Sequence, residues 1–156
     1  VCNLRPSSRG HVRIATSEPA DHPAITLNYL STMEDRQVVV DGLKFTRKIM
    51  ASAELARFEP EEIKPGPAVT TEEDLYKAAG DLGTTIFHPV GTCKMGSDEW
   101  AVVDDELNVH GIQNLRVIDA SIMPTITSGN TNAPTVMIAE KAADMIRADR
   151  KAELTA

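Results

Sequence analysis

One histidine lies in a segment whose neighbours can shape a loop around it. The segment FHPVGTCKMG, residues 87–96, places His88 directly before Pro89 and three positions ahead of Gly91. Proline biases the preceding residue toward an extended backbone, and glycine lets the chain turn back tightly. Because imidazole is the side chain that titrates nearest neutral pH, a histidine aimed in this way can accept a proton. A histidine that only holds a loop gives the same pattern, so this segment alone leaves both interpretations open.

A second segment with useful side chains is SGNTNAPT, residues 128–135, just ahead of a predicted C-terminal helix. Asparagine is a preferred residue at a helix start, so capping explains one of Asn130 and Asn132. The partial positive charge and unpaired N–H groups at a helix start can also hold an anion or a polarised carbonyl. The turn therefore predicts either a cap or a binding position.

The other histidines, cysteines and acidic clusters favour structural roles. The cysteines Cys2 and Cys93 lack metal-ligand spacing, so both are interpreted as free thiols. The acidic run at residues 104–106 has no histidine at ligand spacing, which predicts a solvated turn and helix start and no metal site. Structural positions are also predicted for three histidines: His11, His22 and His110.

The bulk composition narrows the class of protein. The 156 residues are 42% hydrophobic and 25% charged, as in an ordinary globular domain. With 16 basic and 23 acidic residues the net charge is −7, which disfavours nucleic acid as a partner. No apolar run approaches the roughly 20 residues that cross a bilayer, so no transmembrane segment is predicted. No charged-then-apolar leader opens the chain either, so the expected location is the cytoplasm. Because the chain begins with Val1 rather than Met, it is expected to be a piece of a longer enzyme, whose membrane association is left open.

The periodicities predict an α+β fold, an antiparallel-rich sheet with helices packed mainly on one face. Residues 11–16 and 24–30 alternate apolar and polar positions, which predicts an antiparallel pair with one covered face. Further strands are predicted at 84–87 and 115–119. Proline-rich residues 57–69 predict a connecting loop.

Three helices are predicted from caps and spacing. Ser31 with Glu34 forms a capping box for a helix that runs through Met50. Thr70 with Glu73 repeats the signature before a helix that ends near Gly80 or Gly83. The last helix is predicted to hold Pro134 in its first turn. Its apolar stripe is predicted at Val136, Ala139, Ala143 and Ile146.

The order of these motifs resembles one family along nearly the whole chain. FHPVGTCKMG followed by VVDDELNVHGIQNLRVIDASIMPTITSGNTNAPTVMIAEKAADMI, with LRPSSRGHVRI near the start, is similar to the C-terminal part of the glucose-methanol-choline (GMC) oxidoreductases. The choline dehydrogenase-like alcohol dehydrogenases are the most similar branch. Full-length members bind FAD through an N-terminal G-x-G-x-x-G fold, which this sequence lacks. The resemblance therefore implies a fragment whose FAD is bound mostly by an absent N-terminal flavin-binding domain.

The resemblance also assigns roles along the chain. It implies part of a substrate-binding domain at residues 1–83, a catalytic segment completing the FAD site at 84–149, and a tail at 150–156. His88 and Asn130 match the catalytic pair. The matching cofactor positions are Asp119 and Ala120 near the diphosphate and ribityl chain, and Thr131 and Asn132 beside the isoalloxazine.

These roles predict oxidation of a primary alcohol to an aldehyde by hydride transfer to flavin. His88 would take the hydroxyl proton, and Asn130 would hold the alcohol oxygen. The partners implied are a small-molecule alcohol, choline among the candidates, and an electron acceptor, for which one other than oxygen is favoured. Two alternatives stay open: an isolated non-catalytic fragment that does not bind FAD by itself, which the missing glycine motif favours, and a stand-alone binding module.

Overall fold

The chain folds into two compact units, the first Val1–Thr85 and the second from Ile86 onward. The computed structural model describes residues 1–155, apart from the side chain of Glu153. Ala156, the end of the predicted tail, lies outside the described residues. The elements are β1 (His11–Arg13), β2 (Ala24–Thr26), α1 (Met33–Met50), α2 (Ala53–Ala56), α3 (Glu72–Leu82), a short 3₁₀ helix (Ala120–Ile122) and α4 (Asn132–Glu153). Four helices with a small antiparallel sheet are compatible with the predicted α+β class.

The sheet of the first unit is smaller than predicted. β1 and β2 pair antiparallel, with Val12 opposite Ile25, which confirms the predicted pairing. The predicted covered face is wrong, because Val12 is 47% exposed and Ile25 60% exposed. Within the described residues no helix packs on this two-stranded ribbon, so neither the larger sheet nor its helical layer is present.

Helices α1 and α3 pack on each other and both begin at a threonine cap. The hydroxyl of Thr32 accepts from the N–H of Asp35, and that of Thr71 accepts from the N–H of Asp74. Both caps lie one residue after the predicted Ser31 and Thr70. α3 ends before Gly83, one of the two predicted ends. The apolar residues buried in these helices are Val40 and Leu75.

An arginine of α1 holds the proline-rich loop, which is a loop as predicted. The guanidinium of Arg47 donates to both carboxylate oxygens of Glu62, at 2.9 and 2.7 Å. It also donates to the carbonyls of Val69 and Gly66. This ion pair lowers the pKa of Glu62, and the loop is thereby tied to the last turns of α1.

The second unit has an apolar core built mainly from loops. Its buried residues are Val103, Leu107, Ile122, Met123, Ile138 and Ala142. The strand predicted at 84–87 is wrong, since Phe87 has a positive φ of 61°, which a strand excludes. The strand predicted at 115–119 is also wrong, since Arg116 makes a single isolated bridge to Asn108.

Helix α4 begins as predicted and packs differently. Pro134 lies in its first turn, where a missing N–H costs nothing. The buried positions are Ile138 and Ala142, whereas the predicted stripe residues Val136 and Ala139 are exposed. The last two stripe residues, Ala143 and Ile146, are half-buried, so the prediction is wrong only in the first half of the helix. Apolar residues occur on several faces of α4, and packing against the adjoining loops selects the buried face. Among residues 1–155, no helix is both long and apolar enough to span a membrane.

Candidate active site

The loop that carries His88 is fixed at several points along its length. Val90, two residues after His88, packs against the core of the second unit. The N–H of Cys93 donates to the carbonyl of Ser121 at 3.0 Å, and that of Met95 donates to Ile122 at 2.8 Å. These bonds lay the loop along the 3₁₀ helix and hold the half-buried imidazole on a rigid support.

Gly91 is required where this loop turns back. Its φ is +88°, a conformation that residues with a Cβ rarely adopt. A Cβ at this position would also lie 3.1 Å from the carbonyl oxygen of Met123. The tight turn expected from the sequence is therefore present, three residues beyond His88.

The imidazole of His88 contacts one side chain at the start of α4. Nδ1 of His88 lies 3.0 Å from Oγ1 of Thr131, across 43 residues of sequence. Thr131 is only 8% exposed. It is the N-cap residue of α4, yet its hydroxyl makes no capping hydrogen bond. Sequence reasoning did not foresee this contact.

The sequence contained a signal for this contact. A threonine N-cap usually accepts a hydrogen bond from the N–H of the second or third helical residue. The third helical residue of α4 is Pro134, which has no N–H. The hydroxyl of Thr131 therefore lacks one of its usual donors and is free for another partner.

Asn130 and Asn132 flank this threonine, and both are exposed. Consecutive Cα atoms are about 3.8 Å apart, so the backbone of Asn130 lies one residue from the position that His88 contacts. The structure thus brings the FHPVGTCKMG loop and the SGNTNAPT turn together within the second unit. It brings the backbones of the predicted catalytic pair into one neighbourhood and leaves the carboxamide of Asn130 exposed.

The other two predicted cofactor residues form the start of the 3₁₀ helix. Oδ1 of Asp119 accepts from the N–H of Ser121 at 2.7 Å, so this carboxylate caps the turn. Ala120 is half-buried and packs against the core. The same short helix carries Ser121 and Ile122, whose carbonyls hold the His88 loop.

The acidic run of the second unit forms the predicted turn, but the predicted helix start is wrong, because the turn at residues 105–106 leads to isolated bridges at 108 and 109. Oδ1 of Asp104 accepts from the N–H groups of Glu106 and Asn108, each at 2.9 Å. Burial by itself would raise the pKa of Asp104, but these hydrogen bonds outweigh it and lower the pKa. Within residues 1–155, no three His, Cys, Asp or Glu side chains gather in a way that could hold a metal ion.

Comparisons with known proteins agree with these motifs. Residues 6–139 match the C-terminal family model described as GMC oxidoreductase. The chain is 52% identical over 147 residues to the oxygen-dependent choline dehydrogenase of Citrobacter koseri, covering 94% of this chain and 26% of that protein. The chain therefore spans about a quarter of the length of the curated relatives it matches.

Solved structures show the same similarity. Pyridoxine 4-oxidase from Mesorbium loti superposes with a TM-score of 0.78 at 40% identity, over 90% of this chain and 28% of that one. An FAD-dependent oxidoreductase from Chaetomium thermophilum superposes with a TM-score of 0.89 at 32% identity, over 95% of this chain and 26% of that one. By family model, sequence identity and fold, this chain belongs to the GMC oxidoreductase family and corresponds to its C-terminal domain.

Proposed function

We propose that the chain is the C-terminal catalytic portion of an FAD-dependent, choline dehydrogenase-like alcohol dehydrogenase. The enzyme oxidises a primary alcohol to an aldehyde by hydride transfer to flavin, with His88 as the proton acceptor. The observation that carries this proposal is the 3.0 Å contact between His88 and Thr131. It supports the proposal because it holds the imidazole beside the turn that supplies Asn130.

The chemistry of alcohol oxidation gives each residue a task. The hydroxyl proton must leave as hydride departs from the carbon, and a neutral imidazole nitrogen is a suitable acceptor. His88 takes this proton. Asn130 is neutral, can donate a hydrogen bond and is exposed, so its carboxamide holds the alcohol oxygen without competing for the proton. Two groups with different chemistry thereby act on one oxygen atom.

The hydrogen-bond donors at the start of α4 are chemically suited to a flavin ring. The Thr131 side chain makes no capping hydrogen bond, so the peptide N–H groups and the positive end of α4 are available to a ligand. Such a donor set suits the polarised carbonyl edge of an isoalloxazine. When bound, FAD would supply the hydride acceptor. Thr131 and Asn132 would provide the backbone beside the ring, and the exposed side chain of Asn132 would be a further donor.

The backbone of Asp119 and Ala120 is proposed to lie near the diphosphate and ribityl chain of FAD. The Asp119 carboxylate is occupied by the N–H of Ser121 at 2.7 Å, so it shapes the turn. Peptide groups of the turn would then make the contact. The Asp119 carboxylate then stays hydrogen-bonded within its own turn, and only peptide groups face the cofactor.

The partners follow from the reaction and from the length of the chain. They are a small-molecule alcohol, an electron acceptor and the N-terminal flavin-binding domain that the family resemblance implies. The Citrobacter koseri relative is named oxygen-dependent. That name supports oxygen as the electron acceptor, whereas the sequence motifs favoured an acceptor other than oxygen. The rates of flavin reoxidation by oxygen and by a quinone therefore need to be compared. A cytoplasmic location stays a prediction.

The test uses a reconstituted enzyme, in which this chain is joined to the remainder of the Citrobacter koseri choline dehydrogenase. Flavin reduction by primary alcohols, choline included, is followed without oxygen. We expect His88→Ala to lower the rate by about 10²–10⁴-fold, the usual contribution of a general base. His22→Ala, which removes an exposed histidine of the first unit, is the matched control and keeps the rate. An unchanged rate in His88→Ala would refute the proposal.

The second candidate is that the isolated chain is a non-catalytic fragment that does not bind FAD by itself. The absent G-x-G-x-x-G motif and the coverage of 26% of the relative favour it. It is compatible with a catalytic role in the longer enzyme. Absorbance of the purified chain after incubation with FAD and gel filtration tests it. Retained flavin bands would exclude this candidate.

A further inference from the structure

Three threonines stand at the starts of the three longer helices, and one of them has a different conformation. Thr32 and Thr71 are extended, with ψ of 152° and 154°, and their hydroxyls cap the helix. Thr131 has ψ of −2° and no capping bond. Its hydroxyl is 3.0 Å from Nδ1 of His88 instead. Because this hydroxyl does not cap the helix, helix capping does not explain why it contacts His88.

We propose that Thr131 is a positioning residue that sets the tautomer of His88. Its Oγ1 accepts a hydrogen bond from the Nδ1–H of the imidazole, which leaves Nε2 unprotonated as the proton acceptor. The inference rests on the proposed function, because it concerns the histidine to which that function assigns the proton.

The proton balance selects this direction of the hydrogen bond. In a neutral imidazole one ring nitrogen carries hydrogen and the other is the acceptor. If the Thr131 hydroxyl donated to Nδ1, Nε2 would already carry hydrogen and could not take another. With Nδ1–H donating, the O–H bond of the alcohol breaks and a new N–H bond forms at Nε2. The bond to Thr131 keeps its direction in the resulting imidazolium, in which both nitrogens are donors.

The surroundings of Thr131 suit a fixed hydrogen-bond acceptor. The residue is 8% exposed and β-branched, so its side chain has few accessible rotamers. Its carbonyl accepts from the N–H of Thr135 at 3.0 Å and from the Thr135 hydroxyl at 2.6 Å. These bonds anchor Thr131 to the first turn of α4, so the acceptor does not follow movements of the imidazole.

Nitrogen-15 NMR of the ring nitrogens in the purified chain tests the assignment without flavin. The two ring nitrogens have distinct chemical shifts according to which one carries hydrogen, and His88→Gln identifies the signals of His88. At alkaline pH, where histidines are neutral, we expect the Nδ1–H tautomer to predominate in the unmodified chain. Finding Nε2–H as the main tautomer there would overturn the proposal without any Thr131 variant.

Variants test whether Thr131 causes this preference. Thr131→Val keeps the shape and removes the acceptor, and we expect it to lower the ratio of Nδ1–H to Nε2–H about tenfold. Thr131→Ser restores the hydroxyl and the ratio. Thr127→Val is the matched control, since it removes an exposed threonine hydroxyl of the same unit. An unchanged ratio in Thr131→Val, or a loss in Thr127→Val alone, would refute the role of Thr131.

The two proposals fail in different ways. The NMR result depends only on the contact between Thr131 and His88. Flavin reduction in the reconstituted enzyme depends on His88 as proton acceptor. A retained tautomer preference with a His88-independent rate would remove the proposed function and leave the contact intact. A His88-dependent rate with no tautomer preference would remove only the inference about Thr131.

Discussion

Among the described residues, each unit buries one polar side chain at a helix start, and the hydrogen bonds of these two side chains differ. Asp35, in the first turn of α1, is 2% exposed, and Thr131, at the start of α4, is 8% exposed. Asp35 accepts hydrogen bonds from the side chain of Asn3 and from the backbone of Ser7 and Ser8. Thr131 directs its hydroxyl to a single histidine.

The two buried side chains differ in how many hydrogen-bond partners the structure gives them. The carboxylate of Asp35 is saturated by donors from the N-terminal segment, so it fastens that segment to α1 and has no capacity for a ligand. The Thr131 hydroxyl has one partner, and that partner is the residue with the strongest chemical signature in the sequence. We therefore propose that Asp35 serves the fold, because a fully paired buried group is the usual structural case, and that Thr131 serves the proposed site.

The largest expected effect on stability comes from removing the paired carboxylate. Asp35→Ala leaves the N–H groups of Ser7 and Ser8 without an acceptor, and we expect it to lower the free energy of unfolding by about 3 kcal/mol. Urea unfolding followed by circular dichroism measures the loss. Asp41→Ala on the same helix is the control, because Asp41 is exposed and pairs only with Gln37. Similar losses in both variants would contradict the folding role of Asp35.

The cap and the packing of these helices show what the sequence could and could not predict. Ser31 with Glu34 and Thr32 with Asp35 both match a capping pattern, so the sequence located the helix and not the capping residue. In α4, apolar residues occur on several faces, so periodicity alone could not choose Ile138 and Ala142. Contacts with distant loops decided that choice.

A smaller effect is expected from acid. Burial would by itself raise the pKa of Asp35, but hydrogen bonds from Ser8 and Ser7 outweigh it and lower the pKa from 3.8 to about 2. A carboxylate with a lowered folded-state pKa stabilises the protein above the unfolded value and loses that contribution as the pH falls through the folded value. We therefore expect about 2 kcal/mol of stability to disappear between about pH 4 and pH 2.

Unfolding free energies measured across this pH range check the prediction. Asp35→Asn has no titrating group at this position, so its stability should fall less steeply in the same window. The slope that remains in the variant belongs to other carboxylates. Equal slopes for the two proteins would show that Asp35 is not the residue responsible.

Some features of the candidate site follow from local sequence preferences, and others depend on contacts between distant residues. His88 and Asn130 could be selected from motifs, because proline, glycine and asparagine have strong local preferences. The strand predicted to lead into His88 was wrong because Phe87 adopts a positive φ of 61°. The contact of His88 with Thr131 spans 43 residues, and only the missing N–H of Pro134 hinted that the hydroxyl was free.

The smallest effect compares two threonine caps directly. Thr71→Val removes the cap on the N–H of Asp74, and we expect about 1 kcal/mol of local stability to be lost, or about fivefold faster hydrogen exchange at that amide. Thr131→Val should change exchange in the first turn of α4 by less than about twofold, because its hydroxyl is not a cap. Equally faster hydrogen exchange in α3 and α4 would show that the Thr71 and Thr131 hydroxyls do not differ as helix caps.

The central claim, that His88 and Asn130 act on the same alcohol oxygen, is tested most directly by a double-mutant cycle in the reconstituted enzyme. The rate of flavin reduction is measured for His88→Ala, Asn130→Ala and the combined variant. Groups that act together on one atom give losses that do not multiply. We predict that the combined variant loses much less than the product of the two single losses. A combined loss equal to that product would contradict the account.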